Sequence, residues 1–300
     1  MSSKVNNVRG QDIGSGIMLI LLTACMFAGS DATVKHLGAT LPVLVLMWTR
    51  YMFQTGTLAV WHYVRGRTFK VKSRVPGLQL IRGFLLLANS TAAFYGVQHV
   101  PLAEYTALVL LAPVATTVLG AFVLKERVSP GRWAMVFLGV AGMLTVVRPG
   151  SASALGWGAL LPICSALCYA VFQLVTRRIA TADDLVVTNF ISALIVTLLL
   201  GVILWIAPLD IAPTLAKATP GQWALLFVLG ALATAGHVSM ASAVRAAPLT
   251  VLMPFAYAQI AFAALIGWLV FGHAPDAWSI AGICLIGLGG IGTVWLNGQR

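Results

Sequence analysis

Apolar residues run along this chain in blocks of roughly twenty, and polar or charged residues gather between the blocks. Ten blocks are legible, at about 13–36, 42–64, 78–98, 102–124, 131–148, 156–177, 185–207, 221–243, 248–271 and 277–296. At about 1.5 Å of rise per residue, a helix of this length crosses a hydrocarbon core about 30 Å thick. The pattern therefore predicts an all-α integral membrane protein of ten transmembrane helices, joined by short connections. The fourth block ends in a charged knot, Lys125-Glu126-Arg127, and a Ser-Pro-Gly break that cannot continue a helix. Pro113 interrupts its hydrogen-bond ladder half-way along.

The pattern occurs twice. Pro101 and Pro248 open matching runs 147 positions apart, and Glu126 and His273 keep that offset at the other end. Gly14–Phe27 matches Gly156–Tyr169 at an offset of 142, which carries Asp31 onto Gln173 and Lys35 onto Arg177. The chain divides into repeats of five spans each, residues 1–150 and 151–300. Five is odd, so the second repeat enters the membrane upside down. Inverted duplication of this kind is a signature of secondary transporters.

Composition confirms the solvent. The chain is 59% hydrophobic and 9% charged, with mean hydropathy +0.92. A soluble domain cannot hide that much apolar surface, so the partner is membrane lipid. The formal charge of +11 sits in loops, which speaks for an orientation rule and against nucleic acid. With the N-terminus in the cytoplasm, only Lys35, Arg148 and Lys217 fall outside and Arg50 within a span; the other lysines and arginines, Arg82 included, lie inside. Both termini are then cytoplasmic, in the cell's inner (plasma) membrane. The basic stretch Arg65–Val75 is expected against anionic headgroups. Cys25, Cys164, Cys168 and Cys284 lie in apolar spans, without metal-ligand spacing, and read as small packing residues.

The two repeats resemble the EamA family of the drug/metabolite transporter superfamily. The match runs through Leu-Ala-Pro113-Val to Lys125-Glu126-Arg127-Val-Ser in the first half. In the second it runs through Pro254-Phe-Ala-Tyr257-Ala-Gln259-Ile to Gly267-Trp268-Leu-Val-Phe-Gly272, then Pro275-Asp276. The resemblance covers nearly the whole chain and implies a ten-helix carrier that exports amino acids and related metabolites, or foreign compounds. Within the family the sequence is most similar to the YddG-type exporters associated with aromatic amino acids. One departure is visible: His273 stands where members usually have Glu, which leaves Glu126 as the single copy of that carboxylate.

Ionisable groups inside a bilayer are costly, so their presence is informative. Asp31 late in span 1 and Arg50 early in span 2 lie at similar depth, about 9 Å and 12 Å below the same surface by helical rise. They read either as a charged pair complementary to a zwitterionic small-molecule substrate or as a structural ion pair joining two helices. The uncharged set Asn89, Tyr95, Gln173, Tyr257 and Gln259 reads either as cavity lining or as helix-to-helix hydrogen bonding. His237 in span 8 titrates nearest neutral pH, although a buried neutral histidine bonded to a carbonyl is the commoner case. Glu104 at the end of span 4 is expected in solvent. Trp48, Tyr51, Trp157, Trp223 and Trp278 are expected at the membrane surfaces.

Enzyme signatures are missing. No phosphate-binding GxxxxGK[ST] loop, HExxH or GxSxG motif appears, so neither ATP hydrolysis nor another catalytic function is indicated, and no cofactor or metal is called for. The favoured function is a secondary transporter exporting small metabolites, amino acids including aromatic ones, by alternating access through a cavity between the repeats. The alternatives are an exporter of drugs or of cationic or neutral metabolites and, outside transport, a membrane sensor or assembly protein. Oligomeric state has no signature in the sequence.

Overall fold

The computed structural model describes residues 13–64, 73–112, 114–115, 118–119, 129–148, 155–179, 182–183, 185–207, 211–246 and 255–297. The Lys125-Glu126-Arg127 knot, Pro113, Pro248, Pro254 and the basic stretch up to Lys72 lie outside the described residues. Within them the chain is helical: α1 (Ile13–Leu37), α2 (Val43–Val64), α3 (Pro76–His99), α4 (Leu102–Val109), α5 (Pro130–Val147), a short 3-10 turn Gly156–Ala159, α6 (Leu160–Ile179), α7 (Leu185–Ile206), α8 (Ile211–Ala216), α9 (Pro220–Ala246), α10 (Ala258–Phe271) and α11 (Ala277–Asn297). Five described segments are long and apolar enough to cross a bilayer: Ile13–Leu37, Pro76–His99, Gly156–Thr176, Val187–Ile206 and Pro220–Met240. Eight of the predicted spans are recovered to within a few residues, in α1, α2, α3, α5, α6, α7, α9 and α11; spans 4 and 9 are described only in part, as α4 and α10, and the short α8 has no counterpart among them.

Local chemistry sets the ends. Pro76 and Pro130 stand in the first turn, where a missing N–H costs nothing. Val100 is extended because Pro101 follows it, and α3 stops there. Gly272 ends α10 with φ 68°, a left-handed conformation that favours glycine. Span 4 is not continuous as predicted. Its first helix closes at Val109 and resumes at Ala112. Pro113 has no N–H to offer the Val109 carbonyl four residues before it, which is where the helix stops.

The end of the bundle where α1 finishes is here the upper end. Lys35 and Val34 meet the carbonyls and side chains at the end of α3, so α1 and α3 run the same way. α3 and α6 run oppositely: Asn89 meets Ser165 and Arg82 meets Thr176. α1 and α6, the first helices of the two repeats, are therefore antiparallel. The same holds for α2 and α7 (Thr55 on Thr197), α4 and α10 (Tyr257 on Leu110), and α5 and α11. In the last pair glycines bring two backbones together. A Cβ on Gly142 would lie 2.7 Å from the Gly282 carbonyl, and one on Gly289 2.8 Å from the Met135 carbonyl. The second contact is the first displaced by one repeat, and small residues permit both. The repeats are inverted, and they interleave rather than sit side by side: α3 packs on α6 and α1 on α9.

Some side chains depart from expectation. Tyr51 is not an interfacial anchor but is buried, with its hydroxyl on that of Ser90, because α2 turns this face to α3. Trp157, Trp223 and Trp278 are exposed, as anchors are. Cys25, Cys164 and Cys284 are exposed on helix surfaces rather than packed inside, and all four cysteines are free.

Candidate functional site

The charged residues of spans 1, 2 and 4 come together toward the upper half of the bundle. Asp31 and Lys35 share one face of α1, a turn apart. Asp31 accepts one long hydrogen bond, 3.4 Å from Gln259 Nε2 on α10. Arg50 on α2 is close enough to Asp31 to attract it, yet no ion pair of 4.0 Å or less joins them among the described residues. Its guanidinium lies over the rings of Phe94 (5.3 Å) and Tyr51 (5.6 Å), and its Nε is buried without a hydrogen-bond partner. The pair is therefore not a closed structural ion pair: the two charges lie within electrostatic reach without joining.

Tyr105, buried on α4, is within electrostatic reach of both Asp31 and Arg50. Glu104 beside it is 5% exposed, not solvated as expected, because the first turn of α4 is packed under the ends of α1, α3 and α10. Lys35 donates to the carbonyls of Val97 (2.7 Å) and Val100 (2.9 Å), two acceptors left free where α3 ends.

The other predicted residues disperse. Tyr257 donates to the Leu110 carbonyl at 3.2 Å, at the break in span 4, and a Cβ on Gly290 would collide with its hydroxyl. Asn89 accepts from Ser165 at 2.8 Å, tying α3 to α6. Gln173 donates to the Tyr169 hydroxyl on its own helix at 3.3 Å. His237 packs edge-on to Phe27 at 5.1 Å, on α9. Tyr95 lies on the exposed face of α3 with Ile81, Phe84 and Ala88, away from Arg50. Of the predicted set, Asp31, Arg50 and Gln259 form one cluster, and His237 on α9 lies within electrostatic reach of Arg50 at its edge.

Sequence reasoning missed Arg82. The charge pattern places it among the inner surface charges, but it is buried between α3, α6 and α7. Its guanidinium donates to Thr176 (2.8 Å), Asn189 (2.8 Å), Ser192 (2.6 Å) and the Thr188 carbonyl (3.1 Å), and lies 4.2 Å over the ring of Phe172. An Arg six residues into a span was signal enough, since three turns of apolar helix follow it. At the same end Asp183 accepts from Ser73, the Arg74 amide and Gln79, and those bonds hold its carboxyl below the usual carboxylate range. At the upper end Asp276 caps α11 through the Ser279 amide and pairs with Arg148 at 2.7 Å.

Two inverted helical repeats surrounding unclosed intramembrane charges have their match in sequence. The profile of the EamA-like transporter family fits residues 14–148 and again 156–295. The chain belongs to the EamA-like transporter family. It is 27% identical to the pseudopaline exporter of Pseudomonas aeruginosa (strain UCBPP-PA14) over 91% of this chain and 93% of that one. It is 24% identical to the S-adenosylmethionine uptake transporter of Rickettsia prowazekii over 91% and 90%, and 27% identical to the riboflavin transporter of Rhizobium johnstonii over 81% and 82%. A crystal structure at 21% identity superposes with a TM-score of 0.63 over 97% of this chain and 100% of the other, a likeness of fold. The EamA-like chain is thus a multi-pass membrane transporter, not an enzyme. Relatives at similar identity carry names for export and for uptake, so the family does not fix a direction.

Proposed function

We propose that this EamA-like protein is a secondary carrier that exports small zwitterionic metabolites, amino acids including aromatic ones among them, from the cytoplasm across the inner (plasma) membrane. Both termini face the cytoplasm, and the interleaved repeats expose the charged cluster to one side at a time. The observation that carries this reading is the open pair Arg50–Asp31. Buried charges without a partner are costly. A pair that served stability alone would close to hydrogen-bonding distance. Held apart, the guanidinium offers two parallel donors to a carboxylate and Asp31 offers acceptors to an ammonium. Phe94, Tyr51 and Tyr105 around them supply aromatic walls for the substrate's side chain.

The test is amino-acid flux into liposomes, measured per folded transporter, for the wild type, Arg50→Ala, Asp31→Ala and the double variant. The expected result is a double variant that folds yet no longer moves amino acids, because both recognition groups are gone. Wild-type flux in the double variant would show that the pair is only structural. Arg50→Lys should recover part of the flux, since an ammonium is a point charge without the planar fork.

A further inference from the structure

The cluster holds more charge than one zwitterion needs. We propose that Lys35 and Glu104 form a second recognition pair for the same zwitterionic class, one helical turn nearer the upper end than Asp31 and Arg50. This rests on the function proposed above and extends it to a staging site at the mouth.

Lys35 follows Asp31 by four residues, so it stands on the same face of α1, about 6 Å further along the axis. Its ammonium is fixed by two carbonyls, Val97 at 2.7 Å and Val100 at 2.9 Å, which leaves its third proton for another acceptor. Glu104 is within electrostatic reach of Lys35, but no ion pair of 4.0 Å or less forms. Among the described residues no hydrogen bond reaches its carboxylate, although the residue is 5% exposed. An acidic side chain in a first helical turn is favoured by the helix dipole, but that role is served equally well in water and gives no reason to bury it.

Glu104 adjoins Tyr105, which is within reach of Asp31 and Arg50, so α4 connects the two levels. Each level carries one positive and one negative group, neither closed. A zwitterion leaving Arg50 and Asp31 toward the upper end meets the same complement again within one turn.

The experiment uses the full chain in proteoliposomes, with phenylalanine as the probe and its concentration varied at the upper face. Glu104→Gln should raise KM about tenfold with Vmax per folded transporter kept within about twofold, the mark of lost binding rather than lost turnover. Glu104→Asp keeps the charge but draws it back, and should raise KM about threefold. A wild type that moves no amino acid overturns the function proposed above. Saturable wild-type flux with an unchanged KM in Glu104→Gln overturns the second pair alone. If Glu104→Gln does not fold, an unchanged KM in Glu104→Asp overturns it just as well.

Discussion

Thr55 and Thr197 hold the same place in the two repeats, 142 positions apart, and their hydroxyls meet at 3.1 Å. Thr197 donates its own proton to the Ala193 carbonyl, so Thr55 is the donor between them. Two residues related by a two-fold axis can touch only when they lie on it. The axis therefore passes between α2 and α7. If so, Thr55→Cys with Thr197→Cys should form a disulfide on mild oxidation, since hydroxyls this close put the Cβ atoms near disulfide range. Gel mobility after oxidation reads the result; a double cysteine variant that stays reduced would displace the axis from this pair.

Leu110 and Tyr257 form a second such contact, 147 positions apart. The Tyr257 hydroxyl satisfies a carbonyl at the end of α4, next to the break in span 4. Tyr257→Phe should leave that carbonyl unpaired and lower stability by about 0.6 kcal/mol, the usual size of such a bond between membrane helices. Gly290→Ala should cost more, because its Cβ would displace the ring as well as the bond. Thermal unfolding in detergent compares the two, and the order of the two losses is the decisive outcome.

Arg82 should be indispensable for folding. Its loss removes four charge-assisted hydrogen bonds at once, each worth about 1.5–3 kcal/mol. These bonds join α3 of the first repeat to α6 and α7 of the second. Arg82→Ala should therefore fall sharply in abundance and melting temperature. Arg82→Lys should recover only part, since one ammonium cannot reach four acceptors spread around a planar fork. Normal abundance of Arg82→Ala would show that the helices hold without it.

The Asp276 carboxyl is held below the usual carboxylate range, first by the Ser279 amide and then by Arg148. A carboxylate whose pKa falls on folding stabilises above its unfolded pKa of about 3.9 and loses that contribution as pH drops through the folded value. The difference in melting temperature between the wild type and Asp276→Ala should thus be flat from about pH 5 to 8 and shrink below about pH 4. Asp276 is half exposed, so added salt should weaken its link to Arg148 and leave the cap on α11 in place. A difference that grows toward acid would reverse the assignment.

The sequence by itself determined the helical spans and the inverted repeat, but not where span 4 breaks off its first helix or the short α8. An apolar block must satisfy its own backbone in lipid, so composition alone dictates helix, and an offset that persists along the chain dictates duplication. Pro113 announced the fault in span 4, and Asp31 and Arg50 announced themselves as charges with nowhere else to go. Tertiary structure decided which polar residues meet. A single residue step, about 100° of helix rotation, separates Tyr95 on an exposed face from Phe94 under Arg50, and periodicity does not say which neighbour each face receives. Glu104 looked solvated because it begins a helix; it is buried because the ends of α1, α3 and α10 close over it. Arg82 looked like a surface charge for the same reason, until α6 and α7 of the other repeat supplied its acceptors. Those partners lie on average about a hundred residues away in sequence, and only the packing of one repeat into the other brings them within hydrogen-bonding distance.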